Sequence, residues 1–166
     1  ANFRVFEQAG TNIGLKGMGT TCVSCHVVNG AQDTIAIAHV GDSRCYRIRG
    51  TEIEPMTEDH SLLNDYKKLA KLTPEEIKNF PHKNIIVRAL GMKEAVMVDT
   101  RLEKMRPGDT FLLCCDGLSG EVEDPQMAEI VDGCEGDLDL ACKRLIEAAN
   151  DHGGRDNITV ILVRAD

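Results

Sequence analysis

"DTFLLCCDGLSGEVED", residues 109–124, decides how this chain is read. Its apolar first half predicts a buried strand over 110–115. Asp116 and Gly117 follow at once. A carboxylate carried to the rim of a core costs free energy unless a positive group or hydrogen bonds meet it. A partner for Asp116 therefore has to come from elsewhere in the chain.

The 166 residues fit one domain with a sizeable core. At 42% apolar and 28% charged, the composition is globular rather than disordered. A formal charge of -8 argues against nucleic-acid binding through a basic face, and no apolar run reaches membrane-span length. Seven cysteines cannot all pair. Cys22, Cys25, Cys114, Cys115 and Cys142 sit in apolar periodic segments, where a free thiol acts as a small hydrophobe; a reducing, cytoplasmic setting is expected. The opening "ANFRVFEQAG" (1–10) has neither an initiator Met nor a signal-like run, and reads as the end of a helix in a piece of a longer protein.

Along the chain, residues 2–9 predict a helix closed by Gly10 and a polar loop to Gly19. "TTCVSCHVV" (20–28) and "DTIAIAHVGDS" (33–43) are β-rich runs with a hairpin signal at Asn29-Gly30. "RCYRIRG" (44–50) and "TEIEPMT" (51–57) extend them into an antiparallel meander split at Gly50-Thr51. "SLLNDYKKLAK" (61–71) has helical spacing, and "LTPEEIKNFP" (72–81) carries a capping box with Thr73 as N-cap, Pro74 at N1 and Glu76 at N3. Residues 60–88 thus look like a lysine-rich surface subdomain inside a single domain, 1–166. Strands resume in "EAVMVDTRLEKM" (94–105), turn at "RPGD" (106–109), and enter the opening stretch. Helices follow from Asp124-Pro125 and from Asp137, the latter with Leu138, Ala141, Cys142, Leu145 and Ala149 on one face; "NITVILV" (157–163) is the last strand.

Three places share one grammar: an apolar strand abutting an aspartate, with glycine nearby. They are Asp42 after Gly41, Asp116 before Gly117, and Asp156 after Gly153-Gly154. Any one of them alone is most often a turn former or cap. Three converging carboxylates would repel one another unless a cation were present, and oxygen ligands favour Mg²⁺ or Mn²⁺ over zinc.

"GMGTT" (17–21), "AHVGDSRCY" (38–46), "TEDHSL" (57–62), "LTPEE" (72–76), "RALG" (88–91), "PGDTFLLCCDGL" (107–118) and "DNITVILV" (156–163) occur in one order. In that order the chain, over nearly its whole length, resembles bacterial PPM-type (type 2C) metal-dependent serine/threonine protein phosphatases. The resemblance implies an α+β fold, an αββα sandwich of two antiparallel sheets flanked by helices, here N-terminally truncated, with a flap over about 60–88. It implies hydrolysis of phosphoserine and phosphothreonine in phosphoprotein substrates by a metal-activated water. Asp116 and Asp156 would be ligands of the two-metal centre, with Asp42 holding a third, weaker ion, so two or three Mg²⁺ or Mn²⁺ in a complete domain. The family's further bridging aspartate, its Asp-Gly metal motif and its phosphate-binding arginine have no match before "GMGTT", and Arg4 does not fit. The piece alone is then expected to be inactive and, with sheet edges bared, open to self-association. The rival reading is a catalytically inactive regulatory or scaffold module that keeps the phosphatase fold.

Weaker signals remain. "CVSCH" (22–26) matches a haem-attachment spacing, but a strand would put Cys22 and Cys25 on opposite faces. His60, at the base of the flap, is a candidate substrate-binding residue, set against simple satisfaction by a local hydrogen bond. His39 reads as packed in its strand. Lys67, Lys68, Lys71, Lys78 and Lys83 either attract phosphopeptides or form a solvated helix face.

Overall fold

The computed structural model describes every residue except 29–32, 71, 82–84 and 166. The Asn29-Gly30 turn and the lysines at 71 and 83 lie outside the described residues. The strands are β1 (Cys22–Val27), β2 (Thr34–Val40), β3 (Arg44–Arg49), β4 (Glu52–Pro55), β5 (Asp99–Lys104), β6 (Thr110–Cys114) and β7 (Val160–Arg164). The helices are α1 (Asn2–Thr11), α2 (Leu62–Leu69), α3 (Pro74–Lys78), α4 (Asp116–Ser119), α5 (Asp124–Asp132) and α6 (Leu138–Asp151), with a 3₁₀ turn at Ile13–Leu15. The architecture is the expected α+β one: two sheets, ordered β1-β2-β5 and β4-β3-β6-β7, flanked by helices. Contacts divide the chain into two compact units: Ala1–Cys22, His39–Asp42 and Glu58–Asp99, and Val23–Ala38, Ser43–Thr57 and Thr100–Asp166.

In the second unit β6 is buried along its whole length. The pleat sends alternate side chains to opposite faces, and here both faces are covered. Phe111 and Leu113 pack with Ile35, Ile37, Cys45 and Met56, between the sheets. Leu112 and Cys114 pack with Tyr46, Ile48 and the buried faces of α5 and α6. This is why the opening stretch is apolar without alternation. β6 pairs antiparallel with β3 and β7, in a register that sets Arg44 opposite Cys114 and Cys114 opposite Val160.

The strand starts from a fixed point. Gly108, at φ +88°, turns the chain so that the Asp109 amide donates to the Arg106 carbonyl at 3.0 Å. The buried Asp109 carboxylate accepts from Arg49 at 2.6 and 2.9 Å and from the Arg106 amide at 2.8 Å. Those bonds, Arg49 first, hold its carboxyl below the usual range. In α6, Asp137 caps by accepting from the Leu140 amide at 2.9 Å, and Ala141, Leu145 and Ala149 are buried as the spacing predicts.

Several expectations shift. The meander breaks after β2, because β2 and β3 belong to different sheets; the hairpin is β3–β4, closed at Gly50 with φ +56°. The run 94–105 is a strand only from Asp99; residues 94–98 are bends and irregular chain. α1 passes through Gly10 to Thr11, whose hydroxyl donates to the Glu7 carbonyl at 2.7 Å. In the first unit the "GMGTT" and "RALG" motifs pair, with Thr20 and Leu90 exchanging amide bonds at 3.1 and 2.9 Å. The Thr73–Glu76 capping box is present. All seven cysteines are free, and Cys22 is exposed while Cys25 packs inward, so "CVSCH" is an ordinary strand.

Leu145 is fully buried among sheet and helix side chains. Leu145→Ala is expected to cost about 2–5 kcal/mol of stability in equilibrium urea unfolding. A loss no larger than that of Leu140→Ala, on the exposed side of α6, would contradict this packing.

Candidate metal centre

The residue row Arg44–Cys114–Val160 marks one edge of the four-stranded sheet. Asp116 lies two residues past Cys114 and Asp156 four before Val160, so chain connectivity brings both segments to the same edge. Asp116 is the first residue of α4, a one-turn helix for which the sequence reading made no assignment.

Three contacts stitch the segments together. The Cys115 amide donates to the Thr159 carbonyl at 3.3 Å. The Cys115 thiol donates to the Asn157 carbonyl at 3.0 Å and accepts from the Thr159 amide at 3.1 Å. Gly117 lies so close to the loop that a β-carbon there would stand 2.2 Å from the Asn157 carbonyl oxygen. No side chain fits, which is the close approach that glycine permits. The Asn157 amide donates to Asp156 Oδ1 at 2.7 Å, and the loop before it is tied to the turn that follows α4 by His152 Nδ1, which donates to the Glu121 carbonyl at 2.7 Å. Both aspartates are exposed. Two solvent-accessible carboxylates on braced loops are an oxygen donor set suited to a hard divalent cation. Asp42 belongs to the other compact unit, on the turn after β2.

A second cluster lies within the first unit. His39, His60 and Asp99 offer ligand atoms within 4.8 Å of one another, close enough to invite a metal. The hydrogen bonds argue otherwise. The Gly41 amide donates to His60 Nδ1 at 3.0 Å, so the ring proton sits on Nε2, which lies 3.3 Å from Asp99 Oδ2 and 3.0 Å from Arg88 Nη1, a group that gives its own protons to Asp99. No lone pair on His60 remains for an ion. His39 Nε2 donates to the Glu58 carbonyl at 2.9 Å, and the two rings stack at 4.6 Å, nearly parallel, so their nitrogens do not converge on one point. Arg88 supplies the positive charge, donating to Asp99 at 2.6 Å. His60 is 6% exposed, satisfied by the local bonds that the sequence set against a substrate role. Of the flap lysines, Lys68 pairs with Glu58 at 3.1 Å.

No protein-family model matches the chain. Individual proteins do. The chain is 39% identical over 165 residues to the serine/threonine phosphatase stp of Listeria monocytogenes, covering 99% of this chain and 64% of that protein. The serine/threonine phosphatase of S. agalactiae superposes with a TM-score of 0.91 at 38% identity, over 99% of this chain and 66% of that one. The PPM Ser-Thr phosphatase MsPP of Mycobacterium smegmatis, solved with cacodylate, gives 0.84 at 31% identity over 99% and 69%. The chain belongs to the PPM family of serine/threonine phosphatases. A further PPM neighbour, the catalytic domain of PstP in complex with two manganese ions, gives 0.82 at 32% identity over 97% and 65%. The PPM chain described here thus spans about two thirds of its relatives.

Sequence reasoning missed Cys115, Arg88 and Asp99. Cys115 read as the last residue of an apolar strand, and nothing local marks a thiol that bonds a loop 42 positions away. In this PPM chain, Gly117→Ala should force the 156–157 loop off α4, lowering the unfolding temperature and scattering the Asp116 and Asp156 segments; amide chemical shifts at 115–118 and 156–159 report it. Burial, above all, holds the His60 pKa below its ordinary value. Its neutral form is therefore the stabilising one, with a contribution present above pH ~6.5 and lost as pH falls. Thermal unfolding from pH 7.5 to 5.5 should show stability falling, and His60→Asn should flatten the slope.

Proposed function

We propose that the protein carrying this chain hydrolyses phosphoserine and phosphothreonine in proteins, using Mg²⁺ or Mn²⁺ held in part by Asp116 and Asp156. The observation that carries the reading is the bracing of those two exposed carboxylates at one sheet edge, in a chain of the PPM family. The names of its relatives point to the same chemistry, and the manganese in the PstP neighbour points to the ion. We assign Asp42 to a third, weaker ion.

When bound, such ions act as Lewis acids, activating water and screening the charge of the phosphoryl group. The chain's own contribution is preorganisation. Asp116 is fixed by a strand with no freedom to slide, because both of its faces are packed. Asp156 is fixed by the Cys115 thiol and by the approach to Gly117. Little ordering is left to be done when a cation arrives, and that lowers the cost of binding it. His60, buried with both ring nitrogens engaged, is assigned no contact with substrate.

The test is hydrolysis of a phosphothreonine peptide by the protein expressed from its complete coding sequence. EDTA should abolish turnover and Mn²⁺ or Mg²⁺ restore it. Asp116→Asn and Asp156→Asn should each lower kcat/KM by roughly 100-fold or more, as the loss of a metal ligand requires. Mn²⁺ affinity, read by paramagnetic broadening of amides near 116 and 156, should fall alongside. Turnover that survives both substitutions would remove the assignment.

A further inference from the structure

The first unit contains a reciprocal clasp that the phosphatase reading leaves unused. Its two strokes are one residue of each segment gripping the backbone of the other. From the 58–60 side, His60 engages both backbone groups of Gly41: its own amide donates to the Gly41 carbonyl at 2.9 Å, and its ring Nδ1 accepts from the Gly41 amide at 3.0 Å. From the 39–41 side, His39 Nε2 donates to the Glu58 carbonyl at 2.9 Å. The two buried rings stack between these bonds. On its outer side His60 Nε2 meets both Asp99, at 3.3 Å, and Arg88 Nη1, at 3.0 Å, and Arg88 donates to Asp99 at 2.6 Å.

Gly41 needs such a hold. Its φ of +111° is one that L side chains rarely adopt, and a β-carbon would stand 2.4 and 2.6 Å from Thr21 side-chain atoms. A residue with no side chain can be fixed only through its backbone. His60 is what fixes it, and the next residue in the chain is Asp42.

We propose that His60 is a positioning residue: its Nδ1 locks the Gly41 amide and thereby the turn that carries Asp42. The consequence for metal binding rests on the assignment of Asp42 made above; the lock itself does not. The arrangement fixes the tautomer, since an acceptor at Nδ1 requires the proton on Nε2, facing Asp99. It also sorts substitutions. The side-chain oxygen of Asn can take the place of Nδ1, whereas Gln reaches outward toward Asp99 and leaves the Gly41 amide without its acceptor.

The experiment is amide hydrogen exchange by NMR on the full-length protein. His60→Gln should speed exchange at Gly41 by about tenfold, the worth of one buried hydrogen bond, while His60→Asn stays near wild type and the Leu112 amide in β6 is unchanged in both. Unchanged exchange at Gly41 in His60→Gln would overturn the proposal. Should that variant not fold, ¹⁵N shifts of the wild-type imidazole decide: an Nε2–H neutral ring at pH 7 supports the lock, and an Nδ1–H or doubly protonated ring overturns it. A Mn²⁺ titration separates the two claims. If Asp42→Asn weakens one ion step and His60→Gln weakens the same step, both stand. If Asp42→Asn changes nothing, the metal assignment falls and the exchange result still judges the lock. If Asp42→Asn weakens a step that His60→Gln leaves intact, His60 does not position Asp42.

Discussion

Position 117 has no room for a β-carbon, because the Asn157 carbonyl oxygen would lie 2.2 Å away. Around that approach the rest of this sheet edge is organised. β6 brings the chain to this point packed on both faces, and β7 leaves from beside it in register. The Cys115 thiol, donating to one backbone group and accepting from another, closes the gap between them. Each device is weak alone, on the order of 1 kcal/mol for a hydrogen bond. Their effect is geometric: two carboxylates from segments forty residues apart in the chain are presented on braced backbone rather than on free loops.

The histidine pair shows the opposite use of metal-ligand residue types. His39, His60 and Asp99 lie close enough to chelate, yet each ring has a nitrogen committed to a backbone partner, and Arg88 already neutralises Asp99. The guanidinium brings its charge with directional donors already aimed at the carboxylate. Proximity of ligand atoms is thus a poor guide to metal sites unless the protons are followed. The buried imidazoles act as hydrogen-bonding wedges that join chain segments, and burial keeps His60 neutral for that purpose.

Much of this protein was determined by its sequence. The unbroken apolar run at 110–114, the Thr73–Glu76 capping box, the Asp137 cap and the buried stripe of α6 follow from local rules whose period and chemistry are written in neighbouring residues. So does the grammar of strand, glycine and aspartate that picked out Asp42, Asp116 and Asp156. Tertiary structure alone decided that β2 and β3 enter different sheets, that residues 94–98 stay outside the strand, and that Asp116 opens a one-turn helix. It alone paired Cys115 with Asn157 and gave His60 its partners at 41 and 99. The reason is separation along the chain. Propensity and periodicity report on residues within a turn or a strand of each other, whereas a thiol finding a carbonyl forty positions away depends on how whole elements pack, and no local pattern encodes that.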